Sequence, residues 1–189
     1  MFKNQILKRY ETTPEGSYLV NISVDTINHL FESFDATTDF SIRDLNASFA
    51  QYLFECVHEV RKHDFLVQLR VTKGKKDEER EASVRKALKN YFTYRMNKAT
   101  IAMREIATKA LFHFLLSLIL LIGVLVLHTR IEGETLPYLM FVEGLTIAVW
   151  VFMWPIFSEF LYDFLRNRQN HRVYRRIRDC DVVFKYSKR

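Results

Sequence analysis

The sequence predicts an α+β membrane protein: a small three-stranded sheet with covering helices, interrupted by a transmembrane helical hairpin that continues into a cytoplasmic helical stalk. Three observations predict it. Two strongly apolar stretches, 110–127 and 139–154, carry one charged residue between them, Glu143. Three short segments alternate apolar and polar residues with period two, the pattern of half-buried strands. The 48 residues from Lys75 to Ile122 hold neither Gly nor Pro, which favours one near-continuous helix entering the first apolar stretch.

The strands come first because they define the domain. In 18–24, Tyr18, Val20, Ile22 and Val24 oppose Leu19, Asn21 and Ser23; in 65–71, Phe65, Val67, Leu69 and Val71 oppose Leu66, Gln68, Arg70 and Thr72; in 182–186, Val182, Phe184 and Tyr186 oppose Val183 and Lys185. A lone C-terminal strand leaves one ladder edge and one apolar face unpaired, so it is expected to join the other two in one sheet. Two helices lie between the first two strands. The shorter starts after Asp25 as N-cap and places Ile27, Leu30, Phe31 and Phe34 on one side. The longer, capped by Asn46, carries the stripe Phe49, Tyr52, Leu53, Cys56, Val57 and Val60.

The order of parts follows. Residues 1–75 form the cytoplasmic α+β part and 76–109 the stalk helix, with a seam from Leu88 and Phe92 through Met96, Ala99, Met103 and Ile106 to Ala110. The first membrane helix is 110–128, an external loop 129–137 contains the breakers Gly133 and Pro137, and the second membrane helix is 138–157. An 18-residue helix spans roughly 27 Å, close to the roughly 30 Å hydrocarbon core of a bilayer. Residues 158–189 supply a basic helix and the final strand, with Phe157, Phe160, Leu161, Phe164 and Leu165 facing the stalk.

Charge gives an orientation. Arg95, Lys98, Arg104 and Lys109 precede the pair of apolar stretches, and Arg166, Arg168, Arg172, Arg175, Arg176 and Arg178 follow it, whereas the loop sets Arg130 against Glu132 and Glu134. Basic flanks stay on the cytoplasmic side, which places both termini there. Trp154 and Tyr162 at the inner end, and Tyr138 at the outer, suit interfacial belts. Residues 1–30 show no signal-peptide pattern, so the first membrane helix is expected to act as an internal anchor. The net charge of +6 is concentrated in Arg166 to Arg178. Retention of positive charge accounts for that run, and contact with an anionic inner leaflet is a second use for it; no motif supports nucleic-acid binding.

Polar groups inside the membrane stretches are the candidate site. Glu143 needs a partner, a cavity or a neighbouring copy, with His128 and Arg130 at a similar depth. His113 lies near the inner edge, level with Ser158 and Glu159. Gly123 and Gly144 would permit close approach of helices. Asp35, Asp39 and Asp44 crowd one loop, but their spacing fits no EF-hand and favours turn chemistry over metal. The histidines form no HExxH and no Cys/His cluster, so no metal is expected. Among only five glycines there is no GxGxxG, Walker-type loop or GxSxG, so neither a cofactor nor enzymatic activity is expected. Cys56 and Cys180 are expected to be reduced.

The stretches EGSYLVNISVDTINHLFESFD and SIRDLN, together with WPIFSEFLYDFLRNR, resemble a widespread group of uncharacterised bacterial two-helix membrane proteins with a cytoplasmic α+β domain. The resemblance implies a bacterial inner membrane and transfers no activity or site residues. The expected function is therefore that of a non-enzymatic inner-membrane protein, a homo-oligomer whose cytoplasmic domain binds a protein partner or signal. The alternatives are an oligomeric pore-forming or membrane-perturbing effector of a stress or defence system, and an enzyme acting on lipid headgroups at the inner leaflet.

Overall fold

The computed structural model describes residues 6–35, 39–40, 42–130 and 135–186, the side chains of Arg130 and Glu159 excepted. The loop residues Glu132, Gly133 and Glu134 therefore lie outside the described residues. The fold is α+β, with a mixed sheet and long helices.

The sheet has four strands rather than three, in the order β1 (Glu11–Thr12), β2 (Tyr18–Val24), β3 (Phe65–Val71) and β4 (Val182–Tyr186). The added strand β1 is two residues long and pairs antiparallel with β2. The turn joining them closes through Thr13 and Ser17, with Gly16 at φ 86, a left-handed conformation that favours glycine. β2, β3 and β4 are parallel, so the final strand does pair beside β3 although over a hundred residues separate them in the chain. Their register stacks three apolar rows across the sheet: Val20, Val67 and Val182; Ile22, Leu69 and Phe184; Val24, Val71 and Tyr186.

Both parallel crossovers advance the same way across the sheet, and right-handed connections then put their helices on one face. The burial pattern agrees. Val20, Ile22, Val67, Leu69 and Val71 are buried, whereas Asn21, Ser23, Arg70 and Lys185 on the other face are exposed. Gln68 is the exception on the polar face, 3% exposed; its amide donates to Asn21 Oδ1 at 2.7 Å, and Asn21 in turn donates to Glu11 Oε2 at 3.2 Å. That chain of hydrogen bonds spans β1 to β3 and satisfies the buried amide.

Helix α1 (Ala47–Val60) starts at Asn46, whose side-chain oxygen accepts from the amides of Ser48 and Phe49 at 3.0 and 3.2 Å. Its stripe Phe49, Leu53, Cys56, Val57 and Val60 is buried. Between β2 and α1 the chain makes two short 3-10 turns, Ile27–Leu30 and Ser33–Asp35, not one helix. Three residues per turn rotates the apolar face away from the α-helical spacing, so Ile27, Leu30 and Phe31 are buried while Phe34 is 99% exposed. Asp25 caps neither turn; its carboxylate holds Lys73 and Thr72 across the sheet end.

Helix α2 runs unbroken from Glu78 to Arg130, 53 residues. Asp77 caps it by accepting the Arg80 amide at 3.1 Å, and Glu78, Glu79 and Glu81 fill its first turn, the favourable charge for a helix N-terminus. Helix α3 (Leu136–Ser158) is followed directly by a π-helical turn (Glu159–Phe164) and then by α4 (Leu165–Arg178). Pro155 sits inside α3, where it lacks an amide proton for the helix ladder, and the π turn begins four residues later. Within that turn Phe160 and Phe164 stack at 4.9 Å.

The chain divides into two compact units, Met1–Asn97 with His171–Arg189, and Lys98–Asn170. The first twenty residues of α2 thus belong to the sheet unit. Leu88 and Phe92, the head of the expected stalk seam, are buried in that unit with Val84, Ala87, Val173 and Ile177, and the Phe92 ring lies 6.1 Å from that of Tyr174. The N-terminal segment is tied to α1 by the Tyr10 hydroxyl, which donates to Glu59 Oε2 at 2.6 Å. Burial and that hydrogen bond push the Tyr10 hydroxyl well above its usual range.

Candidate functional site

Two helices are long and apolar enough to cross a membrane, one within Glu78–Thr129 and one within Leu136–Arg178, and only 6% of each apolar window is buried. Their polar residues are arranged differently from the sequence expectation. Glu143 is exposed on α3 and, among the described residues, makes no hydrogen bond or ion pair; in particular it does not pair with His128. His113 is half-buried, its Nδ1 is 2.8 Å from the Lys109 carbonyl of its own helix, and Ser158 donates to the Pro155 carbonyl at 3.2 Å. His113 and Ser158, placed level by the sequence, do not bond to each other, and each meets a carbonyl one turn back in its own helix; the Glu159 side chain lies outside the described residues. Gly123 and Gly144 are not points of close approach within the chain, since an added Cβ at either meets nothing within 4 Å. The fully buried polar residue is instead Ser117, whose hydroxyl donates to the His113 carbonyl at 2.8 Å. Ala110 and Val149 are buried in the same unit, and the Tyr138 hydroxyl of α3 reaches the Leu127 carbonyl of α2 at 3.1 Å.

The six arginines do not act as one patch. Arg176 donates to the His63 carbonyl and lies over the Phe65 ring at 4.8 Å, while Arg178 pairs with Asp179 at 2.7 Å and reaches Met96 Sδ. Burial lowers the pKa of Arg176; hydrogen bonding to Asp179 raises that of Arg178. Arg166 pairs with Asp163 at 2.8 Å, and Arg168, Arg172 and Arg175 are exposed. Arg176 and Arg178 thus serve the fold, and the other four arginines are open to solvent.

A second candidate lies at the carboxyl ends of the three parallel strands. There the ladder continues past β2 and β3, the Thr72 and Lys73 amides donating to the Val24 and Asp25 carbonyls at 3.0 and 2.7 Å. The loop that follows opens α2, and a half-open cleft of about 400 Å³ forms between strand ends and loop. Lys73, Lys75, Lys76 and Arg80 line it, with Asp77 as the carboxylate in the lining. Lys73 pairs with Asp25 at 2.7 Å, Lys76 with Glu78 at 2.7 Å and Arg80 with Asp77 at 3.2 Å, all exposed. Hydrogen bonds from Lys73 and Thr72 hold the Asp25 carboxyl below its usual range, and Glu78 raises the Lys76 ammonium. One wall is fixed by β4: the Tyr186 hydroxyl donates to Glu81 Oε1 at 3.1 Å, Glu81 pairs with Arg85 at 3.1 Å, and Arg85 Nε donates to the Val182 carbonyl at 3.2 Å.

None of these cleft residues stood out by spacing, although the run TKGKKDEER after a strand and before a helix is the signal that marks them. Among the described residues no group of three or more His, Cys, Asp or Glu gathers to hold a metal ion. Asp35 of the acidic loop accepts the Asp44 amide at 3.1 Å, turn chemistry of the expected kind. Cys56 is buried and Cys180 half-buried, and burial pushes the Cys180 thiol up to about 12, which keeps it protonated and unreactive at neutral pH.

No family model, curated protein or solved structure matches this chain. The class that its own architecture defines is an α+β protein carrying two helices apolar enough to cross a membrane.

Proposed function

We propose that the chain is a non-enzymatic integral protein of the bacterial inner membrane, in which a cytoplasmic sheet unit binds a partner or signal and is coupled to a two-helix membrane hairpin. The observation that carries this reading is the exposure of the apolar windows, of which only 6% is buried. Apolar area in water costs about 25 cal/mol per Å², so helices of this kind are stable only in an apolar solvent or under another copy. The short connection between α2 and α3 and the bond from Tyr138 to Leu127 support the hairpin. Basic residues flanking both apolar windows support cytoplasmic termini. Coupling is supported by α2, one helix that starts with Val84, Leu88 and Phe92 buried beside the sheet and ends in the apolar window.

The test is alkaline carbonate extraction of membranes combined with labelling by a membrane-impermeant maleimide, in a background lacking Cys56 and Cys180. The protein is expected to stay in the pellet, with His128→Cys labelled in intact spheroplasts and Lys185→Cys labelled only after lysis. Release by carbonate overturns the membrane reading; labelling of Lys185→Cys from outside overturns the orientation.

Glu143 favours a second reading, an oligomeric pore or membrane-perturbing effector. An exposed carboxylate on an apolar helix is costly in lipid unless it faces water, a cavity or a neighbouring copy. If Glu143→Gln leaves both conductance and helix association unchanged in reconstituted protein, that reading loses its support.

A further inference from the structure

We propose that the cleft at the carboxyl ends of β2, β3 and β4 binds a phosphate group, carried by a small soluble phosphate ester or by a lipid headgroup; as the identity of the signal, it rests on the reading above. Ligand crevices in parallel sheets lie outside the carboxyl ends of the strands, where loops diverge and leave room. This cleft is in that position, and its volume of about 400 Å³ falls in the range of small-ligand sites.

The chemistry of the lining selects an anion. Lys73, Lys75, Lys76 and Arg80 bring four cations to one cleft from eight consecutive residues. Three of them have carboxylate partners, but exposed ion pairs of this sort contribute about 0–1 kcal/mol each and exchange readily. Among the described residues Lys75 has no such partner. A phosphate dianion offers three oxygens to these donors at once, an advantage that no single carboxylate of the rim has. The loop adds main-chain donors: among the described residues, no hydrogen bond within the chain takes the amides of Gly74, Lys75 or Lys76. Successive amides in a turn form concave anion sites.

The N-terminus of α2 is not the source of affinity. Asp77 already accepts the Arg80 amide, and three glutamates occupy the first turn. The loop and the four side chains therefore carry the site. At Gly74 the loop passes close to the strand end, where a Cβ would stand 3.3 Å from Val71 Cγ1 and the valine side chain would have to give by a few tenths of an ångström.

The experiment uses the full chain in detergent, titrated by calorimetry with inorganic phosphate and with pyrophosphate, and in parallel with vesicles containing phosphatidic acid in phosphatidylcholine. Saturable binding of the soluble anions is expected, weakened about tenfold or more by combined Lys75→Ala and Arg80→Ala, a loss of about 1.4 kcal/mol or more. Lys75→Arg with Arg80 intact is expected to bind like the parent, because the charge and not the lysine is what the site uses. Binding to the phosphatidic acid vesicles alone, sensitive to the same substitutions, assigns the headgroup as the source. The proposal is overturned if neither probe binds saturably, or if a double variant with an unchanged melting temperature binds like the parent. Binding that leaves His128→Cys labelling unaltered would sink the coupling to the hairpin while leaving the phosphate site in place; loss of binding with retention in carbonate-washed membranes would overturn the phosphate site while leaving the membrane reading in place.

Discussion

The sheet unit and the apolar helices use similar residues to opposite ends. Leu69, Leu53 and Val67 are enclosed by their own chain, whereas Leu118, Ile119 and Leu125 of α2, and Ile147, Trp150 and Trp154 of α3, face outward. The difference lies in pattern. In the sheet unit apolar residues recur with period two or as one helical stripe, so each element has a face to bury and a face for water. Around the apolar windows the residues are apolar on every side, and two helices cannot cover one another completely. The first unit supplies its own interior; the second needs one from outside.

That contrast can be broken in four ways. The largest effect is expected from Leu69→Ala in the fully buried β3 position, about 2–5 kcal/mol of stability. Ile119→Ala, at a residue 65% exposed, should cost less than about 0.5 kcal/mol in detergent. Denaturant titration followed by near-ultraviolet circular dichroism measures both, and equal costs would erase the distinction between the units. Ser117 is the most deeply buried point among the described residues of the apolar pair. Ser117→Leu should cost about 1–3 kcal/mol by overpacking, seen as a lower melting temperature that the same change at exposed Thr129 does not produce.

Asn46→Ala should remove about 1 kcal/mol by leaving the Ser48 and Phe49 amides without their acceptor, and Asn46→Asp should restore most of it. A pH dependence is expected in the sheet unit as well. The Cys180 thiol is pushed from its usual 9.0 up to about 12, so the folded state favours the protonated form. Its contribution is fully present below pH 9 and is lost as pH rises through about 12. Cys180→Ala should flatten that part of the alkaline stability profile; an unaltered slope would assign it instead to the raised tyrosines of the same unit, Tyr10, Tyr52, Tyr91 and Tyr186.

The strands β2, β3 and β4 were legible because period two needs only five to seven residues to show itself, and their buried rows are the ones the alternation marked. The Asn46 cap and the unbroken α2 followed from rules that act within one turn of chain. β1 was not legible, since two residues carry no period. Phe34 was misplaced because a 3-10 turn shifts the apolar face. The local sequence places Asp25 as a helix cap, but its partners lie 47 and 48 residues away on the next strand's end. The cleft was hidden for the same reason. Its lysines carry no periodic signal, and only the side-by-side ends of β2, β3 and β4 give them a wall.

The position of β4 sets an order of assembly. The strand that pairs with β3, and whose Tyr186 meets Glu81, leaves the ribosome after both apolar helices have been made. Until then β3 offers a bare edge, a known route to aggregation. The sheet is thus completed only after the apolar helices have been made, and a chain stalled between them would expose the bare edge of β3 instead of a finished domain.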